Sequence, residues 1–241
     1  MIKLLTTLII KKKNLFNFII VLIINSCSYP QIERDELIYH NDFETSDLSN
    51  IDGQVISRFN NTNVIGDFNN DGFTLHLEKT GDHDYIFISF DLYIHGSWDG
   101  NFNGFTNNDR PDKWIMEIDP EMDLLKNPTN DRFITTFSNS PCFPNYCLRQ
   151  SYPENYPFEN NPKTGSFKVD LPKKCSSSFF GGNTTLYKIE KTFKHSGNAI
   201  IIRFHDELYQ PNAIDANGIV QSKCDESWSM DNLKVRVISY K

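Results

Sequence analysis

The feature that most constrains this chain is a period of two. Apolar and polar residues alternate through residues 73–79 (FTLHLEK), 85–94 (YIFISFDLYI), 114–118 (WIMEI), 133–137 (FITTF), 186–193 (LYKIEKTF), 199–204 (AIIIRF) and 233–239 (LKVRVIS). Successive side chains of a strand point to opposite faces, so each stretch predicts one buried and one exposed face. Clusters of Gly, Asn, Asp and Pro lie between the stretches and read as turns. Beyond the N-terminal segment no long stretch carries a 3.6-residue period. The chain has 241 residues, 39% of them hydrophobic and 13% aromatic, which is enough apolar mass for one large core. Strands joined by turns predict an all-β fold, an antiparallel two-sheet sandwich or jelly roll.

The N-terminus predicts export. Lys3, Lys11, Lys12 and Lys13 precede an apolar run over residues 18–24, too short to span a bilayer but suited to a signal-peptide core. The run ends in INSC, and a small residue before Cys27 resembles a bacterial lipobox. Residues 1–26 are therefore expected to be a lipoprotein-type signal, with Cys27 lipidated. Plain secretion is the alternative. Residues 27–36 then form a polar tether, and residues 37–241 the sandwich domain. The expected location is the cell surface or periplasm, with a lipid anchor in the outer or cell membrane. The formal net charge of −7 argues against a phosphate-binding surface and so against a nucleic-acid partner.

Setting Cys27 aside leaves Cys142, Cys147, Cys175 and Cys224, an even number in an oxidising compartment. Structural disulfides are expected over a zinc site, because no His stands at ligand spacing from them. Four cysteines allow three connectivities. Proximity favours Cys142 with Cys147 and Cys175 with Cys224.

Two short motifs suggest chemistry. In GDFNNDGFTLHLE, residues Asp67, Asn69, Asp71, Gly72 and Glu78 match every specified position of an EF-hand calcium loop. An EF-hand needs flanking helices, however, and FTLHLE alternates as a strand. A turn at residues 70–72, joining two strands as a hairpin, is the expected reading. The second motif, EIDPE, resembles the E-x-D-x-E signature of laminarinase-type glucanases, which are sandwiches themselves. That resemblance implies Glu117 as nucleophile, Glu121 as acid/base and Asp119 tuning the pair. Pro120 departs from it, since proline removes a ladder hydrogen bond and ends central strands.

A wider resemblance rests on NDFE, SFDLYIHGSWDGN, DKW, TTFSN, QSYP and DESWSMDNLKV, in that order along the chain. This order resembles a class of exported β-sandwich modules of bacterial surface proteins, similar in plan to MAM-like, laminin-G-like and concanavalin A-like jelly rolls. The resemblance implies that first and last strands lie side by side with a structural calcium ion between them, held by Glu44 and Asp231, with Asp42 nearby. In the Gly- and Asn-rich loop over residues 95–112, Trp98, Asp99, Asn101 and Phe102 combine aromatic and hydrogen-bonding groups suited to a sugar or peptide. The expected function is non-catalytic recognition of an extracellular glycan or protein. The alternative is a glycoside hydrolase using Glu117 and Glu121.

Overall fold

The computed structural model describes residues 29–241 apart from 46, 54, 105–109, 121–130, 143, 176–181 and 210–221. The expected signal segment, Cys27 and Glu121 fall outside the described residues. The chain divides into a unit of residues 1–33 with 240–241 and a body of residues 34–239, and it is the body that concerns us.

Twelve strands are described: β1 (Ile32–Asn41), β2 (Ile51–Asp52), β3 (Ile56–Phe59), β4 (Thr62–Phe68), β5 (Gly72–Glu78), β6 (Tyr85–Gly96), β7 (Lys113–Ile118), β8 (Arg132–Thr136), β9 (Lys168–Leu171), β10 (Thr184–Lys194), β11 (Ala199–Glu207) and β12 (Glu226–Tyr240). A four-residue helix, α1 (Ser222–Asp225), leads into β12. One sheet runs β3-β4-β12-β6-β10-β9, with β1 also on β12, and the other runs β2-β5-β11-β7-β8. The pairs with a described register are all antiparallel, and the two sheets pack as a jelly-roll-like sandwich.

The alternation behaves as the sequence predicts. In β5, Phe73, Leu75 and Leu77 are buried while Glu78 is exposed. In β6, Ile86, Ile88, Phe90, Leu92 and Ile94 face the core. Between the sheets, Trp228 packs against Phe68 at 4.7 Å and edge-on against Trp114 at 5.8 Å, and Phe73 stacks on Phe204 at 4.8 Å. Aromatic groups of this size account for much of the apolar surface a sandwich hides.

In β12 the inward residues change parity, from Trp228 and Met230 to Leu233, Val235 and Val237. A period-two strand can keep one face buried across that change only by inserting a residue. The insertion is visible: the register with β6 shifts between Asp231 and Lys234, and Asn232 takes φ 54°. Asn is among the few side chains that tolerate this region.

Two expectations need correction. The segment after Phe68 is not a hairpin, because β4 and β5 belong to different sheets and the turn at residues 69–71 crosses between them. Turn chemistry marks where a chain reverses but not which sheet the next strand joins. Strand β1 also begins at Ile32, within the stretch expected to be tether. It reads as polar because its side chains are largely exposed, Leu37 among them.

The expected disulfides, Cys142–Cys147 and Cys175–Cys224, are both present. The second ties α1 to the segment that follows β9.

Candidate functional site

The motifs SWDGN, DKW and DESW converge at one end of the sandwich. Strand β6 ends at Gly96, whose φ is 82°, and a Cβ there would stand 1.8 Å from the Asp225 carbonyl oxygen. Only glycine allows that approach. It brings the start of β12 against the end of β6, with Glu226 opposite Gly96. Ser97 N–H donates to the Asp225 carbonyl at 2.8 Å, and Ser97 Oγ donates to its carboxylate at 2.9 Å.

Trp98 then turns inward. Its ring is completely buried against Phe137, and Nε1 donates to the Ser227 carbonyl at 3.0 Å. No face of Trp98 is left for a sugar in this conformation. Asn101 is committed too: its Nδ2 donates to the Phe158 carbonyl, and its Oδ1 accepts from the hydroxyls of Thr136 and Ser151. Phe102 is half-buried. The expected ligand-binding residues thus hold the loop, and Asp99 is the one that meets other functional groups.

Asp99 Oδ1 accepts from Ser140 Oγ at 2.6 Å. Its backbone N–H donates to Asp112 Oδ2 at 2.8 Å, and the Tyr209 N–H donates to Asp112 Oδ1 at 3.2 Å. Asp112 and Glu226 are buried, at 2% and 4% exposure. Asp99, Asp112 and Glu226 each place one carboxylate oxygen within 4.8 Å of the others. Asp99 pairs with Ser138 in an isolated bridge, and bridge partners share a face. The Ser138 hydroxyl on that face is fully buried and has no hydrogen-bond partner.

The electrostatics follow from crowding like charges out of water. Burial pushes the Asp112 carboxyl up to about 7; two backbone N–H groups oppose this, and the charges of Asp99 and Asp225 add to it. Burial also raises Asp99 and Asp225.

An all-oxygen donor set suits a hard cation. Calcium–oxygen distances of about 2.3–2.6 Å put ligands on opposite sides of one ion about 4.6–5.2 Å apart. The three carboxylate oxygens, all within 4.8 Å of one another, stand no farther apart than two ligands of one such ion can be, so Asp99, Asp112 and Glu226 could hold one calcium ion.

The turn that matches an EF-hand loop supports this end without forming an ion cage. Asn69 Nδ2 donates to the Glu226 carbonyl at 2.8 Å. The Asn70 and Asp71 N–H groups and Trp228 Nε1 all donate to the buried Asp206. Asp67 stands 3.5 Å from Lys174, and Glu78 lies exposed at the far end of β5.

Glu44 and Asp231 do come together. Thr62 Oγ1 donates to Glu44 Oε1 and lies 3.5 Å from Asp231 Oδ2. The Asn63 N–H also donates to Glu44 Oε1, at 2.9 Å, and these bonds lower the Glu44 carboxyl. Asp231 is pushed up to about 6, chiefly by burial. It sits opposite Asp91, which pairs with Lys188 at 3.0 Å. The Thr62 hydroxyl thus already serves Glu44 and Asp231, and the Lys188 ammonium serves Asp91 beside them. Asp42 Oδ1 accepts from the Glu44 N–H and turns the local chain.

Glu117 lies on the outer face of β7, 3.2 Å from His205 and 3.9 Å from Arg203. Asp119 leaves the strand with φ 47°, accepts from the Ile201 N–H and faces His195. Among the described residues, the partners shown for Glu117 and for Asp119 are different ones.

The chain matches no protein-family model and no curated protein sequence. Its function must be argued from its own geometry. Asp112 and Glu226 lie over a hundred residues apart, so no spacing in the sequence pairs them, and DKW and DESW mark them only as landmarks.

Proposed function

We propose that this protein is an exported, non-catalytic β-sandwich module that recognises an extracellular glycan or protein, with its recognition end set by a structural calcium ion. One observation carries the reading: three carboxylates from distant segments, two of them buried, meet within 4.8 Å of one another. Unneutralised carboxylates in such a place are costly, and a divalent cation turns the same crowding into cohesion. Calcium would be held by Asp99, Asp112 and Glu226 and would fasten the loop after β6, the approach to β7 and the start of β12. Its role is mechanical. A chain-end site at Glu44 and Asp231 fits less well, because Glu44 is exposed and keeps its charge in water, whereas Asp112 and Glu226 are both buried.

Export is supported by the signal-like leader and by the two disulfides, which an oxidising compartment sustains. With Trp98 buried, recognition falls to the loop surface that calcium would fix.

Terbium replaces calcium and emits when a nearby tryptophan is excited. Trp98 adjoins Asp99, and Trp228 follows two residues after Glu226. Emission from the full chain should appear on adding terbium, be displaced by calcium and vanish in Asp112→Asn. Emission that survives Asp112→Asn but is lost in Asp231→Asn would move the ion to the chain ends. A glycan and protein array probed with calcium and with chelator tests recognition, and calcium-independent binding would overturn the link between ion and surface.

A further inference from the structure

At the other end of β6, three side chains form a hydrogen-bonded series whose protons can be counted. His83 Nδ1 lies 2.8 Å from the Gly81 carbonyl oxygen. A carbonyl only accepts, so Nδ1 carries the hydrogen. His83 Nε2 lies 2.7 Å from His195 Nδ1, and His195 Nε2 lies 2.9 Å from Asp119 Oδ2. Both histidines are at least nine-tenths buried.

A neutral imidazole has one N–H. That of His83 is committed to Gly81, so its Nε2 must accept, and His195 Nδ1 must donate. A neutral His195 would then turn a bare lone pair toward a carboxylate. The series closes only with one more hydrogen, on the line between His195 Nε2 and Asp119 Oδ2.

We propose that this series is a buried proton site, holding one proton beyond those of two neutral imidazoles, carried by His195 as an imidazolium against the Asp119 carboxylate, and that the proton latches the end of β7 to the two turns beside it. The three residues come from separate segments: His83 between β5 and β6, His195 between β10 and β11, and Asp119 just after β7. Asp119 is fixed from both sides, its N–H donating to the Ile201 carbonyl and its Oδ1 accepting from the Ile201 N–H, each at 2.8 Å. The turns are joined by His195 N–H to the Asp84 carbonyl, Thr80 Oγ1 to the Gly197 carbonyl and Gly81 N–H to Asn198 Oδ1. Among the described residues, the charges acting on His83 are those of His195 itself, Arg34 on β1 and Asp84 before β6, and Asp119 faces His195. Burial, more than any of these charges, lowers the proton affinity of His83, which keeps its Nε2 an acceptor.

The sign follows. The proton supports the fold where it is bound, so this end weakens as pH rises and the proton leaves. Because the site shares no residue with the calcium cluster, its test is independent of that reading. Long-range ¹H–¹⁵N correlation on the histidine-labelled full chain at pH 7 should show His195 with both nitrogens protonated and His83 as the neutral Nδ1–H form. His195→Gln assigns the signals. In Asp119→Asn the amide can donate to Nε2, so His195 should lose its second N–H. That variant should also lose the fall in stability that wild type shows as pH rises and the site gives up its extra proton. A single N–H on His195 in wild type at pH 7 would overturn the proposal, and that spectrum decides even if the variant fails to fold. Identical pH dependence of stability in wild type and Asp119→Asn would overturn the latch.

Discussion

Asp112 gives the sharpest quantitative prediction. Its carboxyl moves from 3.8 to about 7 on folding, chiefly through burial. A raised acid binds more protons folded than unfolded, so it costs nothing at low pH and its full cost is reached above about pH 7. Three pKa units correspond to roughly 4 kcal/mol, of which about 1.4 kcal/mol develops between pH 6 and pH 8. Other groups titrate nearby. Asp231, pushed up to about 6, acts in the same sense at lower pH; His95, held down to about 3 by burial, acts oppositely. Both cancel when wild type is compared with Asp112→Asn. Urea unfolding in chelator at pH 6, 7 and 8 should show the wild-type stability falling, relative to the variant, by about 1.4 kcal/mol across that range. With saturating calcium the relative change should vanish, because bound calcium keeps Asp112 ionised in the folded chain across that range. An ion at about a hundredfold excess over its Kd adds about 2.7 kcal/mol to wild type alone. A flat difference in chelator would refute the buried-charge argument, and the same slope with and without calcium would refute the ion.

Three further outcomes follow. Trp98→Ala should destabilise by about 3–5 kcal/mol in thermal or urea unfolding, because its ring is a core element; unchanged stability would mean that the ring is not packed as described. Replacing Cys175 and Cys224 with Ser opens a link of 49 residues and should cost about 4 kcal/mol by chain entropy, read as a lower urea midpoint. It should also weaken terbium binding, since Asp225 and Glu226 directly follow Cys224. Gly96→Ala should prevent folding or sharply lower the melting temperature, because its Cβ would stand 1.8 Å from a backbone oxygen; a near-wild-type melt would contradict the close approach.

The fold was largely legible because alternation is local. Phe73, Leu75 and Leu77 declare their buried face within one strand, and their counterparts in β6 do the same. The disulfides were legible for a similar reason, as one pair closes a short loop and leaves the other. What escaped was long-range. The β4–β5 turn reads the same whether its strands share a sheet or not. Strand β1 is too polar to show a period, since it exposes most of its length. The bulge at Asn232 hides a change of parity that only the pairing with β6 exposes. At the candidate site, SWDGN and DESW were conspicuous, yet the role of Trp98 was decided by whether its loop folds inward. Asp112 and Glu226 gain their meaning from Gly96, whose missing side chain lets β12 approach. Proximity of this kind is set by the tertiary fold and leaves no spacing in the sequence.

The central claim is that Asp99, Asp112 and Glu226 hold calcium, and calorimetric titration of the chelator-treated full chain tests it most directly. The account predicts one ion bound per chain by wild type and none by Asp112→Asn, with Asp231→Asn binding as wild type does. No calcium heat from wild type, or undiminished binding by Asp112→Asn, would contradict it.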